Sequence, residues 1–178
     1  MESNQVKTAK KYYDINGLID HQVKMLDSIG FFLLKKAAID GVEETVRFSH
    51  PNFAAWEKEL SIFKSADINK SRLLDSYDII ETKNDAVKLI IYKSKTPEST
   101  QVDSLALSFS VKDNYPLKIH AFITSNNALF ESEKNLELEF TNLNNGINLL
   151  SSYKIEGWQK MISKNSTTYS IEGSIQQN

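Results

Sequence analysis

From Tyr77 to the end of the chain, apolar and polar residues alternate, and this period of two most restricts the possible fold. Residues 104–111, for example, alternate Ser or Ala with Leu, Phe or Val, as a strand with one buried face does. The predicted strands are separated by short turns, whereas parallel pairing would need long crossover connections. The sequence therefore predicts a large, curved antiparallel meander, with a partial barrel as the more strongly curved alternative.

Turn signals divide this pattern into strands. Asp40-Gly41 joins two strands at 31–39 and 42–48, because glycine accepts the positive φ of a type I′ turn. Further turns are predicted at Asn84-Asp85, Asp113-Asn114, Asn126-Asn127 and Asn145-Gly146. The later predicted strands are residues 77–83, 86–94, 104–111, 117–124, 128–133, 136–140, 148–155, 158–164 and 168–175.

Two amphipathic helices are predicted in the N-terminal half. Asp14 is a suitable N-cap and Gly30 a suitable end for the first, and Asn52 is a suitable N-cap for the second. A third, short helical turn is expected from about Ile68 to Asp75. The helices should pack on the concave or open side of the sheet, which makes the fold class α+β. The expected core comprises Ile15, Ile19, Val23, Phe53, Trp56, Leu60, Phe63, Leu107, Phe109, Ile119, Leu138, Phe140 and Ile171.

Length and composition indicate one domain. The chain has 178 residues and no low-complexity tract, so we expect a flexible tail at 1–11 and a single domain at 12–178. The net charge of −2 lacks the basic excess that nucleic-acid binding requires. The absence of cysteine excludes disulfides, thiolate metal sites and cysteine nucleophiles.

No segment resembles a membrane span, because no apolar run approaches 18 residues. Met1 to Lys11 also lacks the apolar region of a signal peptide. Two alternatives stay open: a cytoplasmic protein, or an exported one whose leader was removed so that Met1 replaces what preceded Glu2.

The sequence predicts no catalytic, cofactor-binding or metal-ligating residues. His21, His50 and His120 are not at metal-ligand spacing, no nucleophile elbow occurs, and the six glycines are not clustered. Glutamate pairs at 131/133 and 137/139 are typical of a solvent-facing strand. Asp67-Ile68-Asn69 resembles the opening of a calcium loop but lacks its later glycine and glutamate, so helix capping is the expected role.

Four residues are candidates for ligand or rim positions. Lys118, His120 and Phe122 alternate on the more polar side of one predicted strand, and Trp158 follows Gly157 at a predicted strand start. If the sheet curls, the side that carries Phe122, together with Tyr92, would line a cavity for an apolar ligand. The alternative for these aromatic residues is burial beneath a helix.

Several short segments resemble a known family when taken together. They are YYDINGLI at 12–19, WEKEL at 56–60 followed by Phe63, DINK at 67–70, and YKIEGWQK at 153–160 followed by Tyr169 and Gly173. Their order and spacing resemble a family of small, uncharacterised lipoproteins of Bacteroidota-type bacteria. The resemblance implies a lost leader, a lipid anchor on a residue preceding this chain, a flexible tether and a place at the bacterial cell envelope. It implies no catalytic residues.

Three functional hypotheses follow. The first is a non-enzymatic envelope domain that binds a protein partner or a ligand through its sheet. The second is a carrier of lipid or other apolar cargo in a cavity of the curved sheet. The third is a hydrolase whose site is assembled across strands.

Overall fold

The computed structural model describes residues 10–143 and 146–177. Within these ranges it is an α+β domain with two α-helices and one nine-stranded antiparallel sheet, which curves without closing into a barrel. The predicted fold class is confirmed. The predicted tail lies outside these ranges except for Lys10 and Lys11, and the predicted Asn145-Gly146 turn lies outside them at Asn145.

The elements are as follows. The helices are α1 (Ile15–Ile29) and α2 (Phe53–Leu60), and 3-10 turns follow at Ser61–Ala66 and Ser71–Leu73. The strands are β1 (Phe32–Ile39), β2 (Val42–Phe48), β3 (Tyr77–Lys83), β4 (Val87–Ser94), β5 (Val102–Ser110), β6 (Pro116–Asn127), β7 (Phe130–Asn142), β8 (Asn148–Met161) and β9 (Thr167–Gln176).

Local chemistry sets the helix ends where the sequence predicts them. The Asp14 side chain accepts a 2.8 Å hydrogen bond from the Gly17 amide. Gly30 ends α1 with a φ of 77°, which glycine adopts without steric cost. The Asn52 side chain accepts a 3.0 Å hydrogen bond from the Ala55 amide and so caps α2.

The strand order is β2-β1-β9-β8-β7-β6-β5-β4-β3. Strands β3 to β9 form the predicted meander, and the β1–β2 hairpin joins it by pairing β1 with β9, as in the pair Leu33 and Ile175. The sequence did not predict this pairing. Residues 49–76, which include α2, therefore connect the two edge strands β2 and β3.

Three predicted turns or breaks are wrong. Residues 128–140 belong to a turn and one 13-residue strand, β7, rather than to two strands. Residues 148–161 form one 14-residue strand, β8, which runs through Gly157 without a break. Asn126 and Asn127 lie in β6, paired with Glu131 and Phe130, so the turn falls after them.

The sheet has one covered face and one open face. The core joins α1, α2 and the 3-10 turns to the covered face, where Leu107, Ile119 and Leu138 lie in register. Gln22 of α1 is also buried there: its side-chain nitrogen donates to the Asn148 carbonyl at 3.2 Å, and its oxygen accepts from the Leu150 amide at 2.8 Å. The opposite, open face carries the alternate residues of each strand.

Most expected core residues are buried, and the exceptions have local causes. Phe53 is 42% exposed because it begins α2, one turn before the apolar stripe reaches the core at Trp56. Ile171 is only half-buried, opposite the small side chain of Ala37. Leu117, predicted on the apolar side of its strand, is 37% exposed because it is skipped where the β5–β6 register shifts.

Candidate functional site

The structure places all four candidate residues on the open face. Lys118, His120 and Phe122 lie on β6, and Trp158 lies within β8 rather than at a strand start. Trp158 is opposite Glu133 of β7, and Glu133 is opposite Thr124 of β6. One strand, β7, therefore separates Trp158 from β6, and Trp158 lies one same-face register row beyond Phe122.

Tyr92 does not share this face, so its expected place beside Phe122 is wrong. It lies opposite Leu105 on the covered face and is 6% exposed. Its ring centroid is 5.4 Å from that of Tyr12 in an edge-to-face contact. Burial of the hydroxyl raises the pKa of Tyr92. Strand β4 is a nearly continuous apolar run, so its sequence does not indicate which side chains face the core. Tyr92 was therefore predicted on the wrong face of the sheet.

Lys118 belongs to a network of ion pairs across the open face. Its ammonium lies 2.7 Å from Glu137 and 3.2 Å from Glu139, both on β7. The hydrogen bond to Glu137 raises the pKa of Lys118 and, in turn, lowers the pKa of Glu137. Lys154 of β8 repeats the pattern with Glu172 of β9 at 3.4 Å. These exposed charges neutralise one another, so they do not form a charged binding site for a ligand. The pairs between strands instead stabilise the strand register.

His120 contacts an asparagine side chain rather than a carboxylate. Its Nε2 atom lies 3.1 Å from the Asn135 side-chain oxygen, and its register partner Glu137 is already paired with Lys118. In the part of the chain that the structure describes, no three His, Asp or Glu side chains are grouped to hold a metal ion.

Two depressions on the described part of the open face adjoin the candidate residues or their ion-pair partners. The first, which we call the central groove, has a volume of about 480 Å³ and crosses β7, β8, β9, β1 and β2. Its floor includes Ser152, Gly173 and Ser174, and its walls carry Glu137, Lys154 and other members of the ion-pair network. Because most of these charges are already paired, the groove offers few free polar groups.

The second depression, which we call the Trp158 cleft, has a volume of about 550 Å³. It is bounded by residues 97–101 of the β4–β5 loop, residues 124–127 at the end of β6, residues 131–133 of β7, and Trp158. It therefore lies at the end of the sheet where the β6–β7 hairpin turns.

One wall of the Trp158 cleft is a loop held by its own hydrogen bonds. The Thr100 hydroxyl donates to the Ser94 hydroxyl at 2.7 Å, and the Thr96 amide donates to the same oxygen at 3.1 Å. The Ser99 amide donates to the Thr96 carbonyl at 3.0 Å, and the Thr124 amide of β6 donates to the Gln101 carbonyl at 2.8 Å. These bonds fix the loop against the sheet, so the cleft is preformed.

The opposite wall is the half-buried indole of Trp158. Its nitrogen donates a 3.0 Å hydrogen bond to Glu133 Oε2, which fixes the orientation of the ring. The preceding residue must be glycine, because a β-carbon at Gly157 would lie 2.2 Å from the Glu133 carbonyl oxygen. Close pairing of β7 and β8 thus positions the aromatic wall.

Sequence reasoning found Trp158 but missed the rest of this cleft. In the sequence, strands β5, β6 and β7 lie between the loop at 97–101 and the strand of Trp158, and Glu133 lies on the preceding strand, 25 residues before Trp158. Only the register of β6, β7 and β8 brings them together. A single sequence carries no signal for a site assembled in this way.

A polar cluster on the covered side has a structural role. The Tyr153 hydroxyl donates to the Glu59 carboxylate, and Lys35 lies 2.7 Å from the same group. Burial, together with this hydrogen bond, raises the pKa of Tyr153 far above its ordinary value. The cluster links the end of α2 to β1 and β8.

No helix in the described ranges is long and apolar enough to cross a bilayer. No family model matches the chain, and no curated protein matches it. The candidate site therefore rests on the geometry of the open face alone.

Proposed function

We propose that this protein is a non-enzymatic binding domain of the bacterial cell envelope that recognises a ligand or a protein partner on its open face. The observation that carries the proposal is the preformed Trp158 cleft on the one face of the sheet that no helix covers. Clefts that combine an aromatic wall with a few fixed polar groups are common binding sites.

The close packing between the helices and the covered face supports ligand binding on the open face rather than in a cavity inside the fold. Trp56, Leu60 and Phe63 fill the space between the helical region and the sheet, and each is at most 2% exposed. An internal carrier site would need this volume for its ligand.

The pairing of polar groups supports binding without catalysis. A hydrolase needs a base within hydrogen-bonding distance of a nucleophile or a water site. Glu137, the register partner of His120, is instead engaged by Lys118, and His120 itself contacts the side-chain oxygen of Asn135.

The place at the envelope rests on the resemblance to small lipoproteins, and two of the resembling segments meet in the fold. The Tyr12 amide donates to the Asn69 side-chain oxygen at 2.9 Å, and the Asn69 side-chain nitrogen donates to the Tyr13 carbonyl at 3.0 Å. Asp67 accepts hydrogen bonds from the Asn69 amide and from the Asn16 side chain. Asp67 and Asn69 therefore bind the start of α1, whereas the sequence predicted that they cap a helix. The lipid anchor and the tether are part of the proposal.

The anchor is tested by the intact mass of the full-length gene product purified from its own host. We expect a diacyl or triacyl addition on an N-terminal cysteine that precedes this chain. A bare polypeptide that starts at Met1 would remove the envelope part of the proposal.

The binding function is tested by retention of host envelope material on immobilised protein. We expect the material retained by the wild-type chain to be lost with Trp158→Ala. It should be kept with Ile80→Ala, which removes a side chain that is 49% exposed on the same face at the far edge strand. Equal retention by all three proteins would contradict binding at the cleft.

A further inference from the structure

The lining of the Trp158 cleft specifies a chemical class of ligand, an inference that rests on the proposed binding function. Eight of its thirteen lining residues are Ser, Thr, Asn or Gln, and three are Glu. Hydroxyl and amide side chains both donate and accept hydrogen bonds. A surface dominated by them matches a ligand whose own groups do the same, and hydroxyl groups on a sugar ring are such groups.

The aromatic wall supplies the apolar half of this recognition. The Trp158 nitrogen is already satisfied by Glu133, so what the indole offers a ligand is its apolar ring. One side of a pyranose ring presents mainly C–H bonds and can lie flat on an indole, while the hydroxyls at its edge reach polar neighbours. The fixed loop at 97–101 stands across from the ring to provide such neighbours.

The charge of the lining narrows the class further. Glu98, Glu131 and Glu133 line the cleft, and no Lys or Arg does, although Lys160 lies two residues from Trp158 along β8. The three carboxylates outnumber Lys160, the register partner of Glu131, so their net negative charge repels anionic groups at short range. We infer that the Trp158 cleft binds a neutral saccharide. Its volume of about 550 Å³ falls within the range of small-molecule sites.

The experiment is binding of the full chain to an array of neutral, amine-bearing and acidic oligosaccharides, followed by titration of the best neutral glycan. We expect a Kd of about 1 mM or tighter for that glycan, with no binding of uronic-acid glycans. Trp158→Ala should weaken binding by about tenfold or more, as loss of an aromatic anchor does. Ile80→Ala should leave it unchanged, and matching circular dichroism spectra verify that both variants fold.

A second variant separates a saccharide from an ammonium ligand, whether a small amine or a lysine side chain of a protein. Glu98→Gln with Glu131→Gln removes two charges and keeps the size of each side chain and one of its accepting oxygens. Affinity for a neutral saccharide should change by less than about threefold, whereas an ammonium ligand would lose about tenfold or more. Spermidine and a lysine-rich peptide serve as the ammonium probes.

The outcomes distinguish this inference from the proposed function. If no neutral glycan binds, or if binding survives in Trp158→Ala, the saccharide assignment is wrong. Trp158-dependent retention of envelope material would then still support binding at the cleft. If that retention is also absent, the proposed function fails as well.

Discussion

Trp56 is fully buried where α2 meets the sheet, and its indole nitrogen has no hydrogen-bond partner in the described residues. A buried, unpaired N–H group costs free energy. The large apolar area of the ring offsets this cost by packing against the core. Apolar burial rather than hydrogen bonding therefore holds α2 in place at this residue.

Replacing Trp56 with alanine should lower the free energy of unfolding by about 3–5 kcal/mol, since it leaves a large cavity in the core. The measurement is urea denaturation followed by circular dichroism. Phe53→Ala is the matched control one turn earlier on α2, where the side chain is 42% exposed, and it should cost less than about 1 kcal/mol. Similar costs for both variants would show that α2 does not dock through Trp56.

At the scale of elements, two reciprocal tyrosine–glycine pairs align strand β8 with strand β9. Tyr153 of β8 lies opposite Gly173 of β9, and Tyr169 of β9 lies opposite Gly157 of β8. A β-carbon at Gly173 would come within 2.1 Å of the Tyr153 ring, and one at Gly157 within 2.8 Å of the Tyr169 hydroxyl. Each ring thus occupies the space that the opposing glycine leaves, which fixes the register of the two strands.

Gly173→Ala should therefore destabilise the protein by about 1–3 kcal/mol through overpacking. Ser174→Ala, on the open face of the same strand, is the control and should have little effect. In a double-mutant cycle measured by urea denaturation, Tyr153→Ala should relieve much of the cost of Gly173→Ala. Additive effects of the two substitutions would show that the ring does not depend on this glycine.

The same pairs show how much of the fold a single sequence can predict. The caps at Asp14 and Asn52 and the turn at Asp40-Gly41 act on neighbouring residues, so their chemistry is visible in the sequence. Gly157 predicted a break in β8 because the residues that require it, Glu133 and Tyr169, lie on other strands. The candidate site was only partly predictable for the same reason: Trp158 and β6 could be identified, but the register that joins them to residues 97–101 could not.

At the scale of the whole molecule, the buried tyrosines make the free energy of unfolding depend on pH in the alkaline range. Burial raises the pKa of Tyr13, Tyr77, Tyr92, Tyr153 and Tyr169, and that of Tyr77 reaches about 12. The unfolded chain releases these protons near the ordinary tyrosine value of about 10. Above that pH the folded protein holds more protons than the unfolded one, so stability falls as pH rises.

The free energy of unfolding should therefore stay level up to about pH 10 and then decrease toward pH 12. Urea denaturation at a series of pH values measures it, and absorbance at 295 nm reports phenolate formation. Tyr77→Phe removes one suppressed ionisation and should flatten the decrease. Stability that rises above pH 10, or an unchanged slope in that variant, would contradict this account.

The pairing of β1 with β9 has a consequence for the order in which the molecule is completed. Synthesis delivers α1 and β1 first, but the partner of Leu33 in the last strand is Ile175, almost at the end of the chain. Contacts between such distant residues form slowly, because closing a long loop costs conformational entropy before the contact can stabilise the chain. The β1–β2 hairpin therefore cannot join the main sheet until β9 has been synthesised. Until β9 has been synthesised, the edge of β1 that faces it stays unpaired. An unpaired strand edge can pair with another chain, so late completion of the sheet favours aggregation of unfinished chains.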